Sequence, residues 1–245
     1  VEVPHSCVVR LVRGAARLLD TGPADVWSMC HSYAFDVSVY EMWGAFADGA
    51  RLVVVPRDTV RAPDALHAHL AEEGVTVLSQ TPSAFRPYAR HALETEGRQP
   101  PLRYVLFAGE YLDVPALAPW FDRFGNDEPR LVNLYGITEV TVHATFHRVT
   151  RRDVESGVRS NIGRPLPDLT LRLLDDHLRP VPQGVPGEIH VSGPGVARGY
   201  RNLPGPTADR FLPDPFAGGD TRMYRSGDLA RLLDDGTMEV LGRVD

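Results

Sequence analysis

The sequence contains no lysine, and all 26 of its basic residues are arginine. A phosphate-binding loop of the Gly-x-x-x-x-Gly-Lys type, a Schiff base and a lysine electrophile are therefore excluded within these 245 residues, because each of them requires a lysine amine. Any lysine that the chemistry of the protein requires is expected to lie outside residues 1–245.

Other features are equally scarce. The two cysteines, Cys7 and Cys30, lack metal-binding spacing, and we interpret them as reduced, partly buried thiols. The formal net charge of −6 argues against general binding to nucleic acid or to an anionic membrane. No apolar run approaches the roughly 20 residues of a membrane span, no leader begins the chain, and no block of like charges forms an interaction tail. These absences predict a soluble, cytoplasmic protein.

Short, almost continuous apolar runs alternate with stretches of helical pattern up to about residue 150. The runs predict strands that are buried on both faces: 26–30, 51–55, 75–79, 103–109 and 130–135. The stretches between them predict helices over 37–46, 62–73, 83–96 and 114–124. This alternation predicts an α/β fold with a mostly parallel sheet layered with helices, in which ligands bind at the carboxyl ends of the strands.

The pattern changes after about residue 150 to short alternating runs broken by glycine and proline. Four of these runs predict antiparallel strands: 169–175, 187–193, 222–236 and 238–245. An Asp-Gly turn joins the last two strands. We therefore expect a smaller β-rich subdomain, shaped as a distorted barrel, at 151–245, packed against an α/β subdomain at 1–150.

The stretch "NLYGITEV" (133–140) places polar residues directly after a predicted strand. Gly136 permits a tight turn there. The Thr138 hydroxyl could donate to a phosphate oxygen, the Glu139 carboxylate could hold Mg²⁺, and the Tyr135 ring could stack on a base. The structural alternative is a helix N-terminus with Thr138 as its cap and Glu139 near the positive end of the helix dipole. Taken alone, the stretch favours the structural alternative.

Two later motifs are also ambiguous when each is taken alone. Asp228 follows a Ser-Gly turn in "YRSGDLARLLDDG" (224–236), where its carboxylate could accept both hydroxyls of a ribose, and ordinary turn chemistry is the alternative. The motif "GEIHVSGPGVARGYRN" (187–202) has four glycines but no lysine and no clear strand-to-helix context. We interpret this second motif as architecture rather than as a phosphate loop.

The motifs "FDVSVYEMW", "NLYGITEV", "GEIHVSGPGVARGYRN", "YRSGDLARLLDDG" and "LGRVD" follow one another in this order. Together they resemble the core of amino-acid adenylation domains of nonribosomal peptide synthetases, in the superfamily of acyl-adenylate-forming ligases, over essentially the whole chain. The resemblance implies a Ser/Thr/Gly-rich phosphate loop before Val1, and a mobile C-terminal subdomain with a functional lysine after the hinge residue Asp245. The sequence is therefore expected to be an internal piece of a larger protein.

The resemblance also implies an activity. Such a ligase uses ATP and Mg²⁺ to convert an amino acid to aminoacyl-AMP, and then passes the aminoacyl group to a phosphopantetheine thiol on a carrier domain. The implied partners are the carrier and condensation domains of the same synthetase, in the biosynthesis of antibiotics and other secondary metabolites, and the need for a small MbtH-like protein stays open. No residue has to act as nucleophile or general base, because the substrate carboxylate is already ionised at neutral pH.

The family's nucleotide-binding positions correspond to residues of this chain. Those near the phosphates and the ribose would be Thr138 at a phosphate, Glu139 at Mg²⁺, Asp228 at the ribose hydroxyls and Arg243 at ribose or phosphate. Those around the adenine would be Tyr135, which stacks on the base, with Asn133 and the backbone around Gly109 along its edge.

Asp36, in the first motif, corresponds to the residue that pairs with the α-ammonium group of the substrate. A buried carboxylate is costly without a cation, and the ammonium would supply one. The alternative is an N-cap for the helix that begins near Val37. Ligases for fatty or aryl acids do not have this need, so Asp36 favours an α-amino acid.

The resemblance gives the substrate pocket a lining of Asp36, Val37, Tyr40, Ser79, Leu106, Ala108, Leu134, Val142 and His143. Each of these could instead be a core residue. Ser79 and His143 could bond a hydroxyl or thiol, which favours Thr, Ser or Cys as the substrate, although His143 could equally cap the pocket or face solvent. His31 either helps to close the carboxylate site or is a packed core histidine.

Two residues depart from the family pattern. Ile137 stands where the family usually has proline, and Val240 stands where an aromatic residue often encloses the adenine, so we expect a modest change at the turn and weaker nucleotide packing. Three hypotheses follow: an amino-acid adenylation fragment, an acyl- or aryl-acid CoA ligase, and a non-catalytic nucleotide-binding remnant. Residues 1–245 alone are expected to have no substantial activity.

Overall fold

The computed structural model of the protein describes residues 1–244. The chain forms two compact units that interleave in sequence. The first unit contains Val1–Leu18, Leu134–His147 and Ser160–Asp245, and the second contains Leu19–Asn133 and Arg148–Arg159. The predicted subdomains, 1–150 and 151–245, are consecutive in sequence, and their boundary stays a prediction. The predicted hinge residue, Asp245, lies outside the described residues.

The second unit is built on a parallel sheet. Its strands are β1 Val26–Met29, β2 Arg51–Val54, β3 Val77–Gln80, β4 Tyr104–Phe107 and β5 Arg130–Asn133. They lie side by side in the order β2-β1-β3-β4-β5, and each neighbouring pair is parallel. Every residue of β3 and β4 is buried, as expected for strands covered on both faces. The five predicted parallel strands are confirmed, with somewhat different ends.

Helices accompany this sheet. They are α2 Val37–Ala47, α3 Arg57–Arg61, α4 Pro63–Glu72, α5 Pro82–Glu94, α6 Ala118–Phe124, which follows a 3₁₀ turn at Val114–Leu117, and α7 Arg151–Ser156. The start of α5 shows why the chain turns helical there: the Thr81 hydroxyl accepts a hydrogen bond of 3.3 Å from the amide of Ala84, and Pro82 occupies the first turn. The helix then buries Phe85 and Tyr88 in the core of the unit.

The first unit contains helices α1 His5–Ala15 and α8 Pro204–Arg210 and an antiparallel sheet. Its strands are β6 Thr145–Val149, which begins in this unit, β7 Asn161–Pro165, β8 Thr170–Leu174, β9 Gly187–Ser192, β10 Phe211–Pro213, β11 Arg222–Leu232 and β12 Met238–Arg243. The strand order is β6-β7-β12-β11-β9-β8, and β10 pairs with β11. The predicted Asp-Gly turn between β11 and β12 is confirmed, and the amide of Leu233 donates to the carbonyl of Thr237 at 2.8 Å.

The α/β fold class with a β-rich second part is confirmed by the parallel strands of the second unit and the antiparallel strands of the first. Helix α1 is not among the predicted helices, although Cys7, Leu11 and Ala15 recur at intervals of four and form its buried face. Within residues 1–244, no helix combines the length and the apolar character that crossing a membrane requires.

Candidate functional site

The predicted site residues are divided between the two units, and each group is described within its own unit. The first unit contains Leu134, Tyr135, Thr138, Glu139, Val142, His143, Asp228 and Arg243. The second unit contains Asp36, Val37, Tyr40, Ser79, Leu106, Ala108, Gly109 and Asn133.

In the first unit, the carboxylate of Asp228 accepts hydrogen bonds from two other predicted residues, Tyr135 and Arg243. The Tyr135 hydroxyl donates to its Oδ2 at 2.6 Å, and the Arg243 guanidinium donates to its Oδ1 at 3.2 Å. Asp228 and Arg243 are paired across β11 and β12, so the sheet register holds them together. An ionised carboxylate is a hydrogen-bond acceptor only, so both contacts are donated to Asp228.

The surroundings of Asp228 affect the protonation of Tyr135. Asp228 is 8% exposed. Burial, together with the negative charge of Asp228, raises the pKa of Tyr135 well above its ordinary value. The phenol therefore stays neutral and remains a donor.

Asp228 lies within strand β11 and does not follow a separate turn. Strand β11 passes through Ser226 and Gly227, and its register with β9 shifts between Arg225 and Leu229. The amide of Gly227 donates to Glu188 Oε1 at 2.9 Å and fixes this irregularity. The turn expected at Ser226 is therefore present as a bulge within the strand, in which the amide of Asp228 donates to the Ser226 hydroxyl at 3.0 Å, and a bulge re-aims the next side chain.

The segment from Tyr135 to His143 makes a tight, partly strained turn. A Cβ added to Gly136 would lie 2.1 Å from the carbonyl oxygen of Val142, so only glycine fits there. Thr141 and Val142 have φ angles of 66° and 65°, in the left-handed region. Such a conformation costs a residue with a Cβ about 1–2 kcal/mol, and β-branched residues rarely adopt it. Strain of this kind concentrates at functional sites.

The predicted structural alternative for this turn, a helix N-terminus capped by Thr138, is wrong. The only helical hydrogen bonding is a 3₁₀ turn of three residues, Thr138–Val140, and Ile137 occupies its N-cap position. So short a turn has no aligned array of peptide dipoles. The position of Glu139 therefore requires another explanation.

Two tyrosines surround the carboxylate of Glu139. The Tyr200 hydroxyl donates to Glu139 Oε1 at 2.6 Å, and the hydroxyls of Tyr200 and Tyr224 are 3.0 Å apart. Burial and the hydrogen bond to Glu139 raise the pKa of Tyr200 above its ordinary value. Burial and the bond to Tyr200 likewise raise the pKa of Tyr224. Both phenols are therefore neutral donors.

Neither tyrosine is among the predicted site residues, although both lie in motifs that the sequence singles out. Tyr200 belongs to the glycine-rich motif 187–202, and Tyr224 opens the motif 224–236. Each could have been found as an aromatic residue with a polar hydroxyl beside a candidate motif. Tyr200 comes directly after the glycines, and Tyr224 stands at the start of the Ser-Gly-Asp motif.

The glycine-rich motif also holds the turn through its backbone. The amide of Ala197 donates to the carbonyl of Glu139 at 2.8 Å, and the Thr141 hydroxyl donates to the carbonyl of Gly195 at 2.9 Å. The interpretation of this motif as architecture agrees with these bonds. They also explain how the chain keeps Thr141 in its strained conformation.

The remaining predicted residues of the first unit are buried. Leu134, Val142 and His143 are 4%, 6% and 2% exposed. The expectation that His143 could face solvent is therefore wrong. The backbone carbonyl of His143 accepts a hydrogen bond of 3.3 Å from Arg10 of α1, which fixes the end of the turn. Their roles in a substrate pocket stay predictions.

In the second unit, Asp36 occupies the N-cap position of α2 without making a capping hydrogen bond. Its φ and ψ angles, −63° and −22°, are already helical, whereas a capping residue is usually extended. The N-cap alternative is therefore confirmed in position, but the carboxylate makes no hydrogen bond to the first amides of the helix. Val37 and Tyr40 follow on α2 and are buried, and the Tyr40 ring meets Trp27 edge-on at 5.7 Å.

The other predicted residues of this unit lie at the carboxyl ends of the strands. Ser79 and Leu106 are neighbours across β3 and β4, and Ala108 follows directly after β4. A Cβ added to Gly109, which has a φ of 81°, would lie 2.7 Å from the Phe35 ring, so the loops after β1 and β4 pack closely.

Asn133 ends β5 beside Phe107. It is therefore at the same edge of the parallel sheet as the residues that end β3 and β4.

Glu41 is a further buried residue under the loop that contains Asp36. Its side chain is fully buried, and its oxygens accept hydrogen bonds from the amides of Cys30 and His31 at 3.2 and 3.3 Å and pair with His31 Nδ1 at 2.8 Å. Burial, with Glu41 nearby, raises the pKa of Cys30 to about 12. Cys30 and Cys7 form no disulfide within residues 1–244, and their interpretation as reduced thiols stays a prediction.

Comparisons with known proteins connect these features to a family. The protein-family model described as "AMP-binding enzyme" matches residues 1–201 of the chain. The chain is 46% identical over 247 residues to a dimodular nonribosomal peptide synthase of Bacillus subtilis (strain 168). It is 44% identical over 247 residues to syringomycin synthase SyrB1 of Pseudomonas syringae pv. syringae. Both comparisons cover 100% of this chain, but it spans 10% of the first relative and 39% of the second.

Among solved structures, the crystal structure of the nonribosomal peptide synthetase FmoA3 matches with a TM-score of 0.87 at 31% identity. That match covers 98% of this chain and 26% of the FmoA3 chain. These proteins therefore share sequence and fold with the chain over nearly its whole length.

Proposed function

Because the chain belongs to the AMP-binding enzyme family of adenylate-forming ligases, we propose that it is the core of an amino-acid adenylation domain in a nonribosomal peptide synthetase. The observation that carries this proposal is the cluster of Tyr135, Asp228 and Arg243, in which a phenol and a guanidinium both donate hydrogen bonds to one buried carboxylate. A ribose diol presents two hydroxyl donors to such a group.

The proposed reaction has two steps. First, an oxygen of the amino-acid carboxylate forms a bond to the α-phosphorus of ATP, and the bond from that phosphorus to the oxygen bridging to the β-phosphate breaks, which releases pyrophosphate. Second, a phosphopantetheine thiolate on a carrier domain attacks the acyl carbon, and AMP leaves. Two anions meet in the first step, so the protein has to supply positive charge and oriented donors.

The residues of the first unit supply the nucleotide part of the proposal. Asp228 accepts the ribose hydroxyls, the Tyr135 ring stacks on the adenine, and Arg243 donates to ribose or phosphate. Thr138 contacts a phosphate oxygen. Asn133 and the backbone around Gly109, both in the second unit, stay predictions for the adenine edge.

Glu139 fits the role of a magnesium ligand in this proposal. Within residues 1–244, no group of three or more His, Cys, Asp or Glu side chains could hold a metal ion, so a metal cage made by the protein alone does not occur in this part of the chain. Mg²⁺ usually keeps several waters and binds one or two carboxylates together with substrate phosphates, which suits a lone carboxylate such as Glu139. When bound, it would neutralise phosphate charge as the pyrophosphate leaves.

The residues of the second unit supply the amino-acid part. Asp36 lies at the start of α2, beside the buried Val37, and we propose that it pairs with the α-ammonium group of the substrate. We propose that the buried hydroxyl of Ser79, beside Leu106, bonds a polar side chain, which favours Thr, Ser or Cys. His143 would contribute to the same preference, and its role stays a prediction.

The proposal also concerns the activity of residues 1–245 on their own and the domains that would act with them. The chain spans 10% and 39% of two curated relatives that it matches and has no lysine, so we propose that residues 1–245 alone have no substantial activity. Carrier and condensation domains of the same synthetase are the proposed partners, and the cytoplasm is the proposed location. A need for an MbtH-like protein stays open.

Two other functions compete with this one. An acyl- or aryl-acid CoA ligase of the same family would have no use for the charge of Asp36, and a nucleotide-binding remnant would bind ATP without turnover. No contact within the described residues favours either over amino-acid activation.

Pyrophosphate exchange into ATP, measured with the intact protein across the amino acids, tests the proposal. We expect exchange with one small polar amino acid, dependent on Mg²⁺ and absent with acetate, a fatty acid or an aryl acid. Exchange with an aryl or fatty acid instead would establish the CoA-ligase alternative. ATP binding without exchange for any acid would establish the remnant.

A further inference from the structure

We propose that Tyr200 is a positioning residue for Glu139, and that its hydroxyl holds the carboxylate in the orientation that receives Mg²⁺. This inference rests on the proposed function of the chain. Its first support is the bond of 2.6 Å from the Tyr200 hydroxyl to Glu139 Oε1.

The hydroxyl of Tyr200 is part of a short chain of donors. Tyr224, in β11, lies with its hydroxyl 3.0 Å from that of Tyr200, so the two phenols and the carboxylate form one hydrogen-bonded series. Hydrogen bonds in such a series polarise and strengthen one another. The series therefore holds the Glu139 carboxylate in one orientation more firmly than a single bond would.

The two rings are held independently of their hydroxyls. Phe211 packs edge-on against both, with centroid distances of 5.5 Å to Tyr200 and 4.9 Å to Tyr224. Such aromatic contacts persist when only the phenolic oxygen is removed. The hydroxyl of Tyr200 can therefore be tested separately from the packing of its ring.

Glu139 needs an external partner to keep one orientation. It lies on a 3₁₀ turn of three residues, and a glutamate side chain loses considerable rotamer freedom when it is fixed. The amide of Ala197 fixes the Glu139 carbonyl at 2.8 Å, and Tyr200, three residues further along, fixes the carboxylate. One segment of the glycine-rich motif therefore holds both the backbone and the side chain of this residue.

Tyr200 orients the Glu139 carboxylate but does not use all of its lone-pair sites. An ionised carboxylate offers about four lone-pair sites, and one phenol uses one of them. A phenol that donates a hydrogen bond is neutral, so it adds no charge that would repel a cation. The arrangement resembles the outer-shell partners that orient metal ligands elsewhere, whose loss typically weakens metal affinity by about 10- to 100-fold.

The test is direct measurement of cation binding. Mn²⁺ replaces Mg²⁺ as a probe, and its binding to the intact protein with a non-hydrolysable α,β-methylene analogue of ATP is followed by electron paramagnetic resonance. We expect Tyr200→Phe to weaken Mn²⁺ binding by about tenfold, with the melting temperature and analogue binding in the absence of metal little changed. Tyr224→Phe leaves the bond from Tyr200 to Glu139 in place, so a smaller loss in the same direction is expected.

Tyr104→Phe is the matched control, because it also removes a buried phenolic oxygen, which accepts hydrogen bonds from Asp20 and Arg130 in the second unit. It should leave Mn²⁺ affinity unchanged. Wild-type affinity in Tyr200→Phe, or a larger loss in Tyr224→Phe than in Tyr200→Phe, would overturn the positioning role alone. No Mn²⁺ binding by the wild-type protein with the analogue would overturn the proposed function, and this inference with it.

Discussion

The hydroxyl of Tyr135 donates a hydrogen bond of 2.6 Å to Asp228, a residue 93 positions later in the chain. The sequence assigns these residues separate tasks, the aromatic ring to the base and the carboxylate to the ribose. Their bond fixes the position of the ring and the orientation of the carboxylate together, so under the proposed function one tyrosine would serve both parts of the nucleotide.

Tyr135→Phe separates these two tasks. The ring remains available for stacking, but Asp228 loses a charge-assisted donor, and such bonds contribute about 1.5–3 kcal/mol. Part of this loss is recovered by water or by Arg243, so we expect KM for ATP to rise about tenfold and KM for the amino acid to stay the same. Steady-state pyrophosphate exchange in the intact protein measures both constants. An equal rise in both values would show that the variant disturbs the protein generally and does not act through the ribose.

Asp36→Ala tests the amino-acid part. Removing the carboxylate leaves the α-ammonium group without its counter-charge, so we expect amino-acid-dependent exchange to fall by at least about 100-fold while ATP binding is retained. The matched control is Asp64→Ala, which removes another acidic residue near the start of a helix, at an exposed position on α4. Exchange that survived in Asp36→Ala would contradict the assignment of the ammonium partner.

Local patterns in the sequence were sufficient for the elements that the second unit is built from. The five apolar runs became strands because a strand buried on both faces needs only short-range hydrophobic continuity, as in β3 and β4. The position of Asp36 at the start of α2 could also be predicted, because the start of a helix depends on residues that are close together in the sequence.

The contacts that define the candidate site could not be predicted in this way. Tyr200 and Glu139 are 61 positions apart, and their bond depends on how distant segments pack. The left-handed conformation of Thr141 could not be predicted either, because its local propensity opposes that conformation, and the bond from its hydroxyl to the distant Gly195 carbonyl helps to maintain it. The bulge at Gly227 reads as a turn in the sequence, since glycine serves both purposes.

His190 makes the stability of the first unit dependent on pH. Its ring is 1% exposed, and Nδ1 lies 3.0 Å from the carbonyl of Glu188. Burial lowers the pKa of His190 below its ordinary value, and nearby Arg225 lowers it further, although the Glu188 carbonyl and charge act in the opposite direction. The folded protein therefore holds this histidine neutral at pH values where the unfolded chain is already protonated.

The sign of the effect follows from proton binding. Between the lowered folded pKa and the unfolded value of about 6.5, the unfolded state binds more protons, so the free energy of unfolding rises with pH and this contribution is complete above about pH 6.5. We expect urea unfolding to show lower stability at about pH 5.5 than at about pH 7.5, with a slope of up to about 1.4 kcal/mol per pH unit from this group.

His190→Asn removes the titrating group and should flatten that pH dependence. The exposed His177 provides the control, and His177→Asn should leave the dependence as in the wild type. An unchanged slope in His190→Asn would assign the acid sensitivity to other groups.

We predict that the backbone angle at Ile137 determines how firmly the turn holds Glu139 in position. The resemblance expects proline here, but Ile137 has a φ of −140°, whereas proline is limited to about −65°. Ile137→Pro therefore requires a change of about 75° in φ directly before the 3₁₀ turn Thr138–Val140, and it also restricts the preceding Gly136. We expect a loss of about 1–3 kcal/mol in the free energy of unfolding and a higher Mg²⁺ requirement for pyrophosphate exchange.

Ile137→Val is the control for this change, because it shortens the side chain but keeps the same backbone freedom and should retain both properties. Urea unfolding and exchange at graded Mg²⁺ concentrations separate a stability effect from a metal effect. Wild-type behaviour in Ile137→Pro would mean that the turn adapts its backbone while Tyr200 and the Ala197 amide keep Glu139 in place. A loss in Ile137→Pro but not in Ile137→Val would show that the backbone angle at Ile137, rather than the bulk of its side chain, holds the carboxylate where the metal is expected.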